Sequence, residues 1–284
     1  MSAPTDVNGK PIVWSNSALQ TLQGCGEKFR RRYVEREYTP TRPRLVRGSA
    51  VHGTARTMMQ QRQETGVLPD LDEVKDLAAS AFTAAWTKDE VVLEPGEEAE
   101  AGPQAAHDYQ LDLTVDLATL YRQIPAPRIV PVGVERRIEV RPKDMDITIA
   151  GTIDLIDGQP EGEIIRDAKS AEKSPAKGMA DTSEQLTMYG LIRLAEVGTM
   201  PSRFTLDYLV RTPAKRDLKY VPLESTRDAE DVRVTVARLN AGIDAVTAGR
   251  FVPISGEHWS CDPKWCEFYA SCPYTRRGER RPTS

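Results

Sequence analysis

ITIAGTIDLI (residues 147–156), DGQPEG (157–162) and EIIRDAK (163–169) decide the fold. The outer two segments are rich in isoleucine and read as strands; Gly158, Pro160 and Gly162 read as the turn between them. Side chains two apart on a strand share a face, so Asp167 and Lys169 point the same way. Asp154 stands on the preceding strand, across the turn. If the strands pair, two carboxylates and one ammonium converge. Carboxylates brought together repel unless a cation neutralises them, and oxygen ligands suit Mg²⁺ or Mn²⁺. Such an ion polarises a phosphoryl oxygen and acidifies a bound water. Lys169 would orient that water or stabilise charge building on phosphorus.

Outward from this stretch the chain alternates between helix and strand. Upstream, Val132, Val134, Ile138 and Val140 alternate with Gly133, Glu135, Arg137 and Glu139, which predicts a half-buried strand over 129–140. Downstream come a helix over 183–197 ending at Gly198, strands over 204–210 and 218–221, and a long helix over 226–247. Toward the start, Ser15 or Ser17 caps a short helix running to Gln23, and further helices cover 48–63, 71–86 and 104–122. An acidic loop with Pro and Gly fills 89–103. The pattern predicts one α/β domain with helical and loop extensions.

The chain has 284 residues, 28% of them charged, with a formal net charge of -4, so any nucleic-acid surface must be local. The first ten residues carry no apolar leader and no run approaches the roughly 18 apolar residues of a membrane span, so a cytoplasmic, non-membrane protein is expected. In that reducing compartment cysteines serve as metal ligands rather than disulfides. There are four: Cys25 far upstream, and Cys261, Cys266 and Cys272 in the spacing C-x4-C-x5-C. Four thiolates fit a [4Fe–4S] cluster or a structural zinc.

The order of motifs resembles the RecB-like branch of the PD-(D/E)XK nucleases. The residues that carry the resemblance are Gly48 to His52 on a helix, Glu135 on a strand, Gly151-Thr152-Ile153-Asp154, Asp167-Ala168-Lys169, and Gln185 with Tyr189. It spans about residues 14–275 and implies a restriction-endonuclease-like fold: a central mixed sheet flanked by helices, a helical N-terminal region and a cysteine-rich C-terminal segment. The implied domain is single, with a helical insertion over about 48–122, a nuclease core over about 128–223, a helix and cysteine segment over about 225–275, and a disordered tail over 276–284. The resemblance further implies that His52, Asp154, Asp167 and the carbonyl of Ala168 hold Mg²⁺ or Mn²⁺. Lys169 would be catalytic, Glu135 would share the site, and Gln185 and Tyr189 would position DNA or metal.

One cysteine before the core and three after it resemble the iron-staple nucleases: the AddB-type domains and the CRISPR-associated four-cysteine exonucleases. That likeness implies an iron–sulfur cluster, exonuclease action on single strands or duplex ends, and helicase, recombination or CRISPR-adaptation partners. This chain has no G-x-x-x-x-G-K-(S/T) loop of a helicase. Lys28, Arg30, Arg31, Arg32, Arg44 and Arg47, between Cys25 and His52, are expected to track a phosphate backbone. Two rival readings remain: a non-catalytic DNA-end-binding module, and a zinc-stabilised interaction protein.

Overall fold

A computed structural model describes residues 4–93, 100–143, 146–212 and 217–275. The expected tail over 276–284, and residues 94–99 of the expected acidic loop, lie outside them. The chain divides into two compact units: residues 1–40, 139–150 and 233–284 form the first, and residues 41–138 and 151–232 the second.

In the first unit, strand β1 (Val13–Trp14) leads to helix α1 (Asn16–Gly24). Ser15 caps α1 by accepting from the Ala18 N–H at 3.2 Å. Cys25 ends that helix, and a short helix α2 (Gly26–Phe29) runs into a π-helical turn, Arg30–Val34. β1 pairs in parallel with Thr148 and Ile149. Trp14 and Phe29 are fully buried and stacked, with Phe251 against Phe29. From Phe251 to Thr275 the chain forms only turns and bends. Gly26 is required where that segment crosses: its N–H donates to the Val252 carbonyl at 2.8 Å, and a Cβ there would lie 2.5 Å from the Val252 nitrogen.

In the second unit, helices α3 (Pro43–Thr65), α4 (Leu71–Lys88) and α5 (Pro103–Gln123) pack together. Asp70 and Glu73 form a reciprocal capping box at the start of α4. Strands β2 (Pro131–Val140) and β3 (Thr148–Gln159), each with one end in the first unit, then β4 (Gly162–Ala171), β5 (Arg203–Arg211) and β6 (Leu218–Ser225) follow, with helix α6 (Glu184–Val197) between β4 and β5. Helix α7 (Ala229–Thr247) then runs into the first unit. The sheet is mixed: β3 and β4 are antiparallel, β4 and β5 parallel, β5 and β6 antiparallel, and β2 also pairs with β3. Leu155, Ala168 and Leu209 of the sheet join α3, α4 and α5 in the largest core.

The expected strands and helices are all present, with three corrections. The helix expected from Gly48 begins at Pro43, whose missing N–H costs nothing in a first turn. Gly158 belongs to β3 rather than to the turn, which is the pair Pro160–Glu161 between Gln159 and Gly162; Val132 lies across Gly158, where a Cβ would be 2.6 Å from its side chain. Lastly, the alternation expected for β2 breaks midway. Gly133 is buried against Ile156 while Val132 is exposed, whereas further along Ile138 is buried. The change of phase falls at Glu135, which adopts a left-handed backbone with φ 49°; such a residue re-aims the side chains after it.

Candidate active site

Strand register builds the site. Leu155 pairs with Arg166, so Asp154 lies on the same sheet face as Asp167 and Lys169. Helix α6 covers that face. Gly151 permits the approach, since a Cβ would come 2.6 Å from Ile192 and 3.4 Å from Tyr189. Gln185 and Tyr189, one turn apart on α6, thereby meet the carboxylates.

Gln185 is the hub. Its Nε2 donates to Asp167 Oδ1 and to the Tyr189 hydroxyl, both at 2.8 Å. Its Oε1 accepts from Lys169 Nζ at 2.9 Å, and the same Nζ lies 2.6 Å from Asp167 Oδ2. His52 reaches in from α3, its Nδ1 2.9 Å from Asp154 Oδ2. Asp154 Oδ2 and Asp167 Oδ2 are buried atoms, each facing one basic side chain, His52 and Lys169. Glu135, His52 and Asp154 line one pocket of about 20 Å³ together with Arg56, Ala168, Arg166 and Asp207, room for about one water-sized sphere.

The electrostatics describe a site short of positive charge. Burial, then the neighbouring Asp154, pushes the Asp167 carboxyl up to about 6. Burial and Asp154 likewise raise Glu135. Burial, then Asp167 and Asp154, raise Tyr189. Burial opposes charging His52, but the hydrogen bond and charge of Asp154 outweigh it and hold the imidazolium form to higher pH. A divalent cation would relieve every one of these shifts, and carboxylate oxygens brought together in this way suit it. Among the described residues, no three His, Cys, Asp or Glu side chains are gathered closely enough to enclose one metal ion.

Sequence reasoning missed the floor of the pocket. Arg166 donates to Asp157 at 3.0 Å and to both oxygens of Asp207 at 2.8 and 2.9 Å, and Tyr220 donates to Asp207 at 2.6 Å. Asp157 and Asp207 are almost wholly buried. Asp207 sits inside the apolar run Phe204 to Val210, and a charge in such a run was the available signal.

The basic residues are committed internally to different degrees. Arg31 is buried, donating to Glu37 at 2.6 and 2.8 Å and to Ser271 at 2.8 Å, with Phe268 beneath its guanidinium at 4.5 Å. Arg47 is buried against Glu172 and Gln110 at 2.6 and 3.0 Å. Arg30 pairs with Glu27 and Glu35, and Lys28 and Arg32 share Glu267 at 2.7 and 3.7 Å. Arg44 is half-buried in α3. Arg31 and Arg47 thus hold the fold, and of the six only Arg32 is exposed.

Within the first unit, Cys25, Cys261, Cys266 and Cys272 are free thiols and line a single cavity of about 330 Å³. The Ile254 N–H donates to Cys25 Sγ at 3.4 Å. Burial raises the Cys261 thiol, with Cys272 and Cys25 adding to it; burial also raises Cys266. Thiols held from ionising in this way suit a positively charged centre.

No helix is long and apolar enough to cross a membrane among the described residues. Comparison with curated proteins gives no match. Among solved structures, one from Eubacterium rectale, named a "putative exonuclease", is 11% identical over 85% of this chain and 83% of its own, with a TM-score of 0.43. Another, SSO0001, is 16% identical over 91% of this chain and 96% of its own, with a TM-score of 0.34. The model of the PD-(D/E)XK nuclease superfamily matches residues 13–273. With the sheet, the Asp–x–Lys pair and the family match in agreement, the chain belongs to the PD-(D/E)XK nuclease superfamily.

Proposed function

We propose that the chain is a metal-dependent DNA nuclease of the RecB-like branch, acting as an exonuclease on DNA ends. The observation that carries this reading is the convergence of Asp154, Asp167 and Lys169 on one sheet face, with His52 against Asp154. His52, Asp154, Asp167 and the Ala168 carbonyl would hold Mg²⁺ or Mn²⁺, which supplies polarisation of the phosphoryl oxygen and a more acidic water. Lys169, fixed by Gln185 and Asp167, presents its ammonium to the charge that builds on the phosphoryl group. Tyr189 fixes the Gln185 amide, so its role is positioning. Glu135 adds negative charge beside His52 and Asp154. Arg166, through Asp157 and Asp207, holds β3, β4 and β5 in mutual register beneath it.

We take the four cysteines as ligands of a structural iron–sulfur centre, and the two units as one working nuclease. Four thiols lining one cavity of the first unit support this reading. End-labelled single- and double-stranded DNA incubated with Mn²⁺ or Mg²⁺, and with chelator, tests the enzyme. Metal-dependent shortening from an end supports the reading. Binding without cleavage in every metal would leave a non-catalytic DNA-end-binding protein. Anaerobically purified protein with broad absorbance near ~400 nm supports iron–sulfur; colourless protein holding zinc overturns it.

A further inference from the structure

The turn-rich segment after α7 places large rings where the core has no use for them. Trp259 is 68% exposed, Tyr274 55% and Trp265 40%. Tryptophan brings a large stabilisation when buried, and contiguous exposed aromatic surface marks an interaction site. These rings are ordered against one another. Trp259 lies 5.6 Å from Trp265, edge to face at 83°, and His258 lies 5.5 Å from Trp259. The Lys264 ammonium lies 5.5 Å from the centroid of the Trp265 ring. Trp265 and Tyr274 border the cysteine cavity, whose lining also includes Lys28 and Arg32.

Cations border the rings. Lys28 and Arg32 share the single carboxylate of Glu267, so one positive charge of the three is in excess. A partner that offers flat π-faces and a repeating negative charge matches both features.

We propose that Trp259, braced by Trp265, is a stacking platform for the unpaired bases of a single DNA strand, with Lys264 and the neighbouring cations facing its phosphates. Bases stack on aromatic rings whatever their identity, so the platform reads strandedness rather than sequence. The choice of nucleic acid over protein rests on the nuclease reading.

Anisotropy titration of a labelled oligothymidylate tests the proposal, using anaerobically purified Asp167→Ala protein so that the strand survives. In that background Trp259→Ala should raise the dissociation constant about ten-fold, with the melting temperature unchanged. Trp259→Phe should recover most of the affinity. An abasic strand of equal length should bind with the same affinity whether or not the protein carries Trp259→Ala. Unchanged affinity for oligothymidylate after Trp259→Ala, or an equal loss on the abasic strand, overturns the platform and returns the patch to protein contacts. If wild-type protein cuts no DNA while Trp259-dependent binding of the single strand persists, the nuclease reading falls and the platform stands.

Discussion

The carboxylate site and the cysteine cavity present the same electrostatic problem and solve it by different means. Each gathers groups that resist ionising together: Asp167 beside Asp154, and Cys261 beside Cys272 and Cys25. The carboxylates ride on paired strands, where backbone hydrogen bonds fix their spacing, and α6 locks them through Gln185. The thiols sit at a helix end and on turns, with no helix or strand between Phe251 and Thr275. The first region is preorganised before any ion arrives. The second is held by turn hydrogen bonds, such as Cys261 N–H to the His258 carbonyl at 2.9 Å, and on the proposed reading it would depend on what the thiols bind. On the proposed reading a metal would be a reagent in one and a clasp in the other.

That contrast is sharpest in activity. Asp167→Ala or Lys169→Ala should lower cleavage about a thousand-fold while leaving the melting temperature close to wild type. Initial rates on end-labelled DNA check it, and near-wild-type cleavage in either variant would break the site assignment. Cys25→Ala should do the converse and act on the fold. Closing a loop of more than two hundred residues restricts the unfolded chain, so colour, melting temperature and solubility should fall together. Replacing Cys261, Cys266 or Cys272 should reproduce the loss. A Cys25 variant with full metal content and wild-type melting would erase the distinction between the two regions.

A smaller effect tests what the arginines do. Arg31→Met should cost about 2 kcal/mol, less than for a wholly buried pair because Glu37 is partly exposed. Arg32→Gln, at an exposed position, should stay within about 0.5 kcal/mol. Denaturant midpoints measure both, and equal costs would put Arg31 among the surface charges.

The smallest expected effect is the pH response of the metal-free site. The native state holds the Asp167 proton up to about 6, whereas an unfolded aspartate releases it near ~4. A raised carboxyl pKa means native protein binds the extra proton. Asp167 therefore favours folding below about pH 4 and loses that contribution as pH rises through about 6. Metal must displace the same proton, so apparent Mn²⁺ affinity should weaken as pH falls below about 6. Melting shifts with Mn²⁺ across pH 5 to 8 report this, and a flat profile would mean Asp167 is ionised without metal.

The sequence by itself determined whatever depends on neighbours a few residues away. Asp167 and Lys169 share a face because strands have period two, and Ser15, the Asp70–Glu73 pair and Gly198 mark helix ends through local hydrogen bonds and backbone freedom. The order of strands and helices followed, and with it the convergence of Asp154 with Asp167. Tertiary structure alone decided matters that turn on partners far along the chain. It shifted the phase of β2 at Glu135, whose side chain lines the pocket of His52 and Asp154. It buried Arg31 against Ser271 and Arg47 against Glu172, where a run of arginines in sequence suggested a phosphate track. It placed Arg166 and Asp207 beneath the site, and gathered Cys25 with three cysteines over two hundred residues away. The physical reason is that a charge or thiol carries no periodic signal of its distant partner. Its burial is set by desolvation and pairing, which exist only once the chain has closed on itself.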